Sequence, residues 1–409
     1  MIEDNNVLKH QITKLSGELF GRIVGHRRHL HRNPELSFEE IQTAAYVRDE
    51  LNRIGLEVTA SVGGHGVVAQ IRGRNPERAT IALRADMDAL PIQEQNEAEY
   101  KSQTPGVMHA CGHDAHTASL LGVAEILNRL TERFEGTIRL LFQPAEERLP
   151  GGASLMIRDG ALRNPAPSAV VGLHVMPLIP AGKVGFRSGM YMASADELRL
   201  LFRGKGGHAA QPHQNIDPIM ACAQTLVALQ QVVSRHAHPA TPSVLSFGRV
   251  RSEGTYNVIP DEVEVLGTFR TLNEDWRRRA HELIRQVAEG TAAALGATCE
   301  VEIRVGYPCL YNHPELTHRL REAAIDYLGA DNVWDLDIWM AAEDFAYYGA
   351  HADACFYRLG TRNEAKGITA PVHTPRFDID EEALRTGVGL MSWLALQELS
   401  FAVENTRPR

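Results

Sequence analysis

Nine consecutive residues, Met108-His109-Ala110-Cys111-Gly112-His113-Asp114-Ala115-His116, hold one thiol, one carboxylate and three imidazoles. Thiolate and neutral imidazole are the donors that intermediate and soft divalent ions prefer, and Cys111 and His113 stand close enough in the chain to reach one site. A structural zinc knuckle needs a second such pair, and the chain has no Cys-x-x-Cys. The remaining donors must come from elsewhere, and three segments offer them: Gln143-Pro144-Ala145-Glu146-Glu147, Gly172-Leu173-His174-Val175 and Val372-His373-Thr374-Pro375. The adjacent Glu146 and Glu147 suit amide hydrolysis. That reaction needs a strong nucleophile at neutral pH; a divalent ion lowers the pKa of a water to ~7, and a nearby carboxylate can pass the proton to the leaving amine.

The elements that must position these groups are readable from periodicity. The first half alternates short apolar runs with helical stretches, the pattern of a parallel or mixed α/β sheet. Strands are expected at 66–71, 80–84, 137–142 and 169–173, and helices at 39–54 and 116–130, the latter with Leu120, Leu121, Val123, Ile126 and Leu127 as its apolar face. Asp86, the Glu146-Glu147 pair and His174 then each follow a strand, at the carboxyl edge where open α/β sheets bind ligands. Near Ser188-Gly189 the pattern changes: strand 196–202, helix 217–233, strands 243–250 and 262–270, helix 274–295 and strand 298–304. This βαββαβ order is ferredoxin-like, a module of about 110 residues inserted into a larger domain. The expected domains are 1–188 with 306–409, and 189–305 between them. His373 is useful only if the C-terminal part folds back onto the first domain.

Composition bounds the function. The 409 residues, 44% hydrophobic, suffice for two domains. A net charge of −9 argues against nucleic acid as partner. The segment Met1-Ile2-Glu3-Asp4-Asn5-Asn6 lacks the basic and apolar regions of a secretory signal, and no apolar run approaches the ~18 residues that span a bilayer. Five scattered cysteines, an odd number, suit reduced thiols, so a cytoplasmic location without membrane partners is expected.

Taken together, Arg84-Ala85-Asp86-Met87-Asp88, the 109–116 run, Gln143 to Glu147, Gly152-Ala153, Gly172-Leu173-His174, Gly206-Gly207-His208-Ala209-Ala210, Glu343-Asp344-Phe345 and His373-Thr374-Pro375 resemble the M20 metallopeptidases. Within that family the chain looks like the amidohydrolase branch that acts on N-acyl amino acids, hippurate and auxin conjugates; Leu30-His31-Arg32-Asn33-Pro34-Glu35-Leu36 fits the same branch. The resemblance implies a mixed-sheet catalytic domain of zinc-exopeptidase type carrying a ferredoxin-like lid and dimerisation domain. It implies two divalent ions (Zn, Mn, Co or Ni) held by Cys111, His113, Glu147, His174 and His373, with Cys111 as the bridge. Glu146 would be the general base and acid, and Asp86 would fix a histidine tautomer or tune the charge. The wider family has a histidine two residues before that aspartate; here it is Arg84, which favours the branch-specific arrangement in which His113 takes over that role. His208, framed by Gly204, Gly206 and Gly207, would steady the oxyanion, reaching the neighbouring subunit of a homodimer or higher homo-oligomer. Asn257 and Arg270 would bind the free carboxylate of a small-molecule N-acyl amino acid.

Other residues are read plainly. His10, His65, His281, His313 and His351 are expected to be ordinary surface or core histidines, and Cys222, Cys299, Cys309 and Cys355 small buried hydrophobes. Arg277-Arg278-Arg279 is expected to be a solvated helix face. His116 either opens a helix or takes part in the site, and His109 stays equally open. Glu343 is either a helix-terminal charge or a site residue. Two other functions compete with N-acyl amino acid hydrolysis: a carboxypeptidase or dipeptidase acting on short peptides, and a metal-retaining binding protein without turnover, against which the intact Glu146 argues.

Overall fold

The structure, a computed structural model, describes residues 2–405. The chain divides into two compact units: one built from the residues through Gly189, Tyr311–Asp337 and Asp344 onward, the other from Met190–Leu310 and Ile338–Glu343. The short return of 338–343 to the second unit has no signature in the sequence pattern.

The first unit contains β1 (Val58–Val62), β2 (Gly66–Arg72), β3 (Thr80–Asp86), β4 (Thr137–Gln143), β5 (Ala169–Pro180) and β6 (Val184–Phe186). The second contains β7 (Asp196–Arg203), β8 (Ser243–Ser252), β9 (Glu262–Thr271) and β10 (Thr298–Val305); β11 (Val333–Asp335) and β12 (Asp353–Arg362) return to the first. Helices of the first unit are α1 (Ile2–Glu18), α2 (Phe20–Arg32), α3 (Ile41–Arg53), α4 (His113–Asn128), α5 (Gly152–Arg158), α8 (Pro314–Leu328) and α9 (Glu382–Asn405), while α6 (Pro218–Gln231) and α7 (Glu274–Ala294) belong to the second. Among the described residues no helix is long and apolar enough to cross a membrane.

Eight described strands of the first unit form one mixed sheet in the order β1-β2-β4-β3-β5-β12-β6-β11. Its central strands β3 and β4 are buried at every residue, as expected for strands covered on both faces, which read as apolar runs rather than alternations. Truncating a side chain such as Leu83 or Leu140 there would cost ~2–5 kcal/mol. Helix α4 begins three residues earlier than its periodicity predicts and is buried on every side from His113 to Leu127. Neighbours α2 and α9 pack against it, so the expected single apolar face was too narrow a reading.

The second unit carries an antiparallel sheet in the order β8-β9-β7-β10, with α6 and α7 packed on it and on each other. Ala280, Leu283, Ile284, Ala288 and Ala292 make the buried stripe of α7, at helical spacing. Asn273 caps that helix by accepting from Trp276 N at 2.8 Å, an interaction worth ~1 kcal/mol. Arg277 corrects the solvated-face expectation. It lies one turn before Ala280 and points inward, where its guanidinium grips Asp196 at 2.6 and 3.0 Å; Arg278 and Arg279 stay exposed.

Candidate active site

Three neighbouring parallel strands bring the candidate donors to one edge. β3 pairs with β4 on one side and β5 on the other. β3 ends at Asp86, and β4 leads through Gln143 into the turn that bears Glu146 and Glu147. His174 lies inside β5 rather than after it, because β5 leaves β3 at the Arg84–Gly172 pair and continues beside β12. The loop before α4 turns at Gly112, whose φ of 85° and whose closeness to Val175 (2.4 Å from a built Cβ) admit only glycine. Two residues beside the candidate donors, among six such non-glycine residues described, also adopt positive φ: Ala145 at 52° and His373 at 61°. Each such conformation costs on the order of 1–3 kcal/mol and persists only where neighbours enforce it. Here Ala145 N donates to Glu40 Oε1 at 2.8 Å, Gly152 N donates to Ala145 O at 2.9 Å, and His373 N donates to Ala110 O at 2.7 Å.

The result is two donor triads that share one sulfur. Cys111, His113 and His174 form the first; Cys111, Glu147 and His373 form the second, with donor atoms within 4.8 Å of one another in each. Cys111 Sγ lies 3.3 Å from His174 Nε2 and 3.3 Å from His373 Nε2, and His373 Nε2 lies 3.1 Å from Glu147 Oε1. Glu146 joins His113 and Glu147 in a third group of the same compactness. His113 Nε2 and Glu147 Oε1 are buried and make no hydrogen bond, the Glu147 oxygen meeting the His373 ring only as an ion pair when that ring is protonated. Buried polar atoms are ordinarily paired, so two orphans pointing into a thiol, imidazole and carboxylate cluster fit a divalent cation.

Charge in the cluster is strongly perturbed. Burial, and then the carboxylates of Glu147 and Glu146, push the Cys111 thiol well above its usual range. Burial alone would lower His113, but Asp86 and Asp88 overcome it and raise the imidazole to about 10. Burial would raise Asp86, yet His113, Arg84 and His116 hold it well below the carboxylate range. Burial, followed by Arg358, drives His174 well down, leaving it neutral.

Two residues left open by the sequence, His116 and His109, find their places. His116 spends both ring nitrogens: Nδ1 lies 2.5 Å from Asp86 Oδ1, and Nε2 accepts from Val175 N at 2.9 Å. It is therefore a structural link between β3 and β5 rather than a donor to an ion. His109 is buried with neither nitrogen hydrogen-bonded, and burial lowers it to about 4. Arg84 is buried, 2.6 Å from Asp86 and 2.9 Å from Asp344. Sequence reasoning missed Asp88 and Glu40. Asp88 touches His113 Nδ1 at 3.1 Å, and Glu40, raised to about 7 by burial and then by Asp88, holds the Ala145 turn. The only available signals were the aspartate repeat at a spacing of two and the glutamate repeat at 39–40.

The second unit holds the other three candidates. Gly207–His208 pairs antiparallel with Val258–Ile259, and Ala209 N donates to Asn257 O at 3.0 Å, so His208 and Asn257 are neighbours on an exposed ribbon. Gly204 and Gly206 donate to Asp261, which hangs the ribbon from the Glu262 end of β9. Arg270 stands at the other end, about 26 Å away at roughly 3.3 Å per residue. Within one chain the structure thus separates Asn257 from Arg270. The Arg270 guanidinium, half-buried, meets the carbonyl of Met340 at 3.2 Å and no carboxylate of the described residues.

Residues 82–397 match the model of peptidase family M20/M25/M40. The chain belongs to this family. Two curated relatives are a probable hydrolase of Synechocystis sp., 42% identical over 95% of this chain and 98% of its own length, and the N-acetyl-L-cysteine deacetylase of Bacillus subtilis, 41% identical over 89% and 85%. Among solved structures, the YXEP protein of B. subtilis, described as a dinuclear metal-binding peptidase of family M20, superposes with a TM-score of 0.81 at 36% identity, over 94% of this chain and 99% of that one. This family member is a hydrolase of amide bonds, of the amidohydrolase branch.

Proposed function

We propose that the chain hydrolyses the amide of N-acyl amino acids, releasing a carboxylic acid and a free amino acid. The observation that carries this reading is the pair of donor triads joined at Cys111, with Glu146 grouped with His113 of one and Glu147 of the other. Cys111, His113, Glu147, His174 and His373 would hold two divalent ions, and the shared thiolate favours zinc, manganese, cobalt or nickel over magnesium or calcium. Bound ions polarise the scissile carbonyl and ease deprotonation of the attacking water. The chain's own residues do the rest. Glu146 takes the proton of that water and delivers it to the leaving nitrogen. Asp86, fixed by Arg84 and His116, keeps negative charge beside His113. Arg270, lacking a carboxylate of its own, offers a planar fork to the carboxylate of the substrate.

His208 and Asn257 act from a second copy of the chain, a homodimer being the smallest assembly that suffices. Their separation from Arg270 along β9 supports this, since one carboxylate cannot span it. His208 then donates to the developing oxyanion, and the second unit serves as lid and dimerisation domain. The five cysteines, all free, suit a cytoplasmic enzyme.

The test is a panel of N-acetyl, N-benzoyl and indole-acetyl amino acids beside dipeptides with free amines, assayed with each of the four metals. Turnover of the acylated compounds with little of the dipeptides is expected; the reverse preference would make the protein a dipeptidase. As a check on the shared sulfur, Cys111→Ser should lower the occupancy of at least one ion, measured by elemental analysis. Unchanged stoichiometry would remove Cys111 from the ligand set.

A further inference from the structure

Asp88 occupies a position that none of the roles above uses. It is 1% exposed, two residues beyond the Asp86 that ends β3. Its Oδ1 lies 3.1 Å from His113 Nδ1, while Oδ2 accepts from the backbone N of Glu147 at 2.9 Å and from the Ser37 hydroxyl at 2.6 Å. One carboxylate thus touches the ring of one candidate ligand and the main chain of another. Its own place is fixed by the segment after α2: Ala89 N donates to Glu35 O at 2.8 Å, and Leu36 bridges Ala89 as a parallel pair. That gives a task to the Asn33-Pro34-Glu35-Leu36-Ser37 stretch, which otherwise contributes no group to the cluster.

An imidazole can donate a lone pair to a cation only from the nitrogen that lacks a proton. A carboxylate at Nδ1 keeps that proton in place, so Nε2 is the nitrogen whose proton a cation would displace. His113 Nε2 faces Glu147 Oε1 at 4.0 Å and Asp86 Oδ2 at 3.7 Å, while Asp86 spends its other oxygen on His116. We propose that Asp88 is the positioning residue of the site: it sets the tautomer of His113 and seats the backbone of Glu147, with Ser37 as its anchor. The inference rests on the two-ion reading given above and deepens it.

The experiment compares full-length wild type, Asp88→Asn and Ser37→Ala. Dissociation constants for Zn²⁺ and Mn²⁺ are measured by chelator competition, and the ring N–H signals of ¹⁵N-histidine-labelled, Zn²⁺-loaded protein by NMR. In Asp88→Asn a 10–100-fold weaker binding of at least one ion is expected, the cost usual for losing a partner that orients a ligand. The downfield Nδ1–H signal of His113, assigned by its loss in His113→Gln, should shift upfield, which a merely structural role would not cause. Ser37→Ala should weaken binding in the same direction by less. Wild type that fails to bind two ions would sink the two-ion reading itself. Wild type that binds two, with Asp88→Asn matching it in affinity and spectrum, would overturn this inference alone. Should Asp88→Asn not fold, Ser37→Ala decides: a loss of affinity sustains the proposal, unchanged affinity overturns it.

Discussion

The two units hold their candidate residues in opposite ways. In the first, Cys111, His113 and His174 are buried, and the turns that carry Glu147 and His373 are pinned by backbone hydrogen bonds. In the second, His208 and Asn257 stand on an exposed two-residue ribbon, and Arg270 lies at the far end of the neighbouring strand. The difference is one of preorganisation. A cluster of donors that must meet cations with sub-ångström tolerance is assembled before anything binds, and its neighbours are spent on orienting it. Groups that meet a substrate can be left apart, provided a second copy or a closure brings them together.

The largest effect that would break this contrast comes from Glu146. Glu146→Gln should lower kcat ~10²–10⁴-fold or more while metal content stays at the wild-type level, and Glu147→Gln should instead lose metal. Equal metal loss in both, by elemental analysis, would mean that the adjacent carboxylates do not divide their work. Next is His208→Ala, expected to cost ~10²–10³-fold in kcat. Mixing it with Glu146→Gln and letting subunits exchange should return activity towards half of wild type per mixed dimer, because one of the two sites then has both groups. Mixed dimers that form and remain inert would show that the ribbon does not act in trans.

Arg270→Ala should lower kcat/KM for N-acyl amino acids by ~1.5–3 kcal/mol of transition-state binding, and far less for the corresponding amides, which lack the carboxylate. An equal loss for both would make Arg270 structural. The smallest effect sharpens that result. Arg199, on the same sheet, already has a carboxylate partner in Glu264 at 2.8 Å at the surface. Arg199→Ala should cost ~0–1 kcal/mol of stability in denaturant titration and leave kcat/KM unchanged. A catalytic loss there would show that unpaired charge is not what distinguishes Arg270.

The sequence by itself determined the donor chemistry and the order of elements. Thiol, imidazole and paired carboxylates are scarce types, and their recurrence beside apolar strands is local information. So is the period of each strand and helix, which made the βαββαβ elements of the second unit legible almost to the residue, ends excepted. Pairing across the chain was not legible. Which aspartate meets which imidazole depends on where β3 ends against β4 and β5, so the task given to Asp86 falls on two residues: Asp86 holds His116, and Asp88 holds His113. His116 looks like a ligand in the sequence and loses that possibility only because Val175 N takes its second nitrogen. Arg277 looks solvated by composition and is buried because its helical position faces Asp196. Asn257 and Arg270 look like one carboxylate clamp in the sequence until the structure sets them towards opposite ends of β9. Residue types are fixed one position at a time, whereas hydrogen-bond partners and distances are properties of the packed chain, and only the tertiary structure decides them.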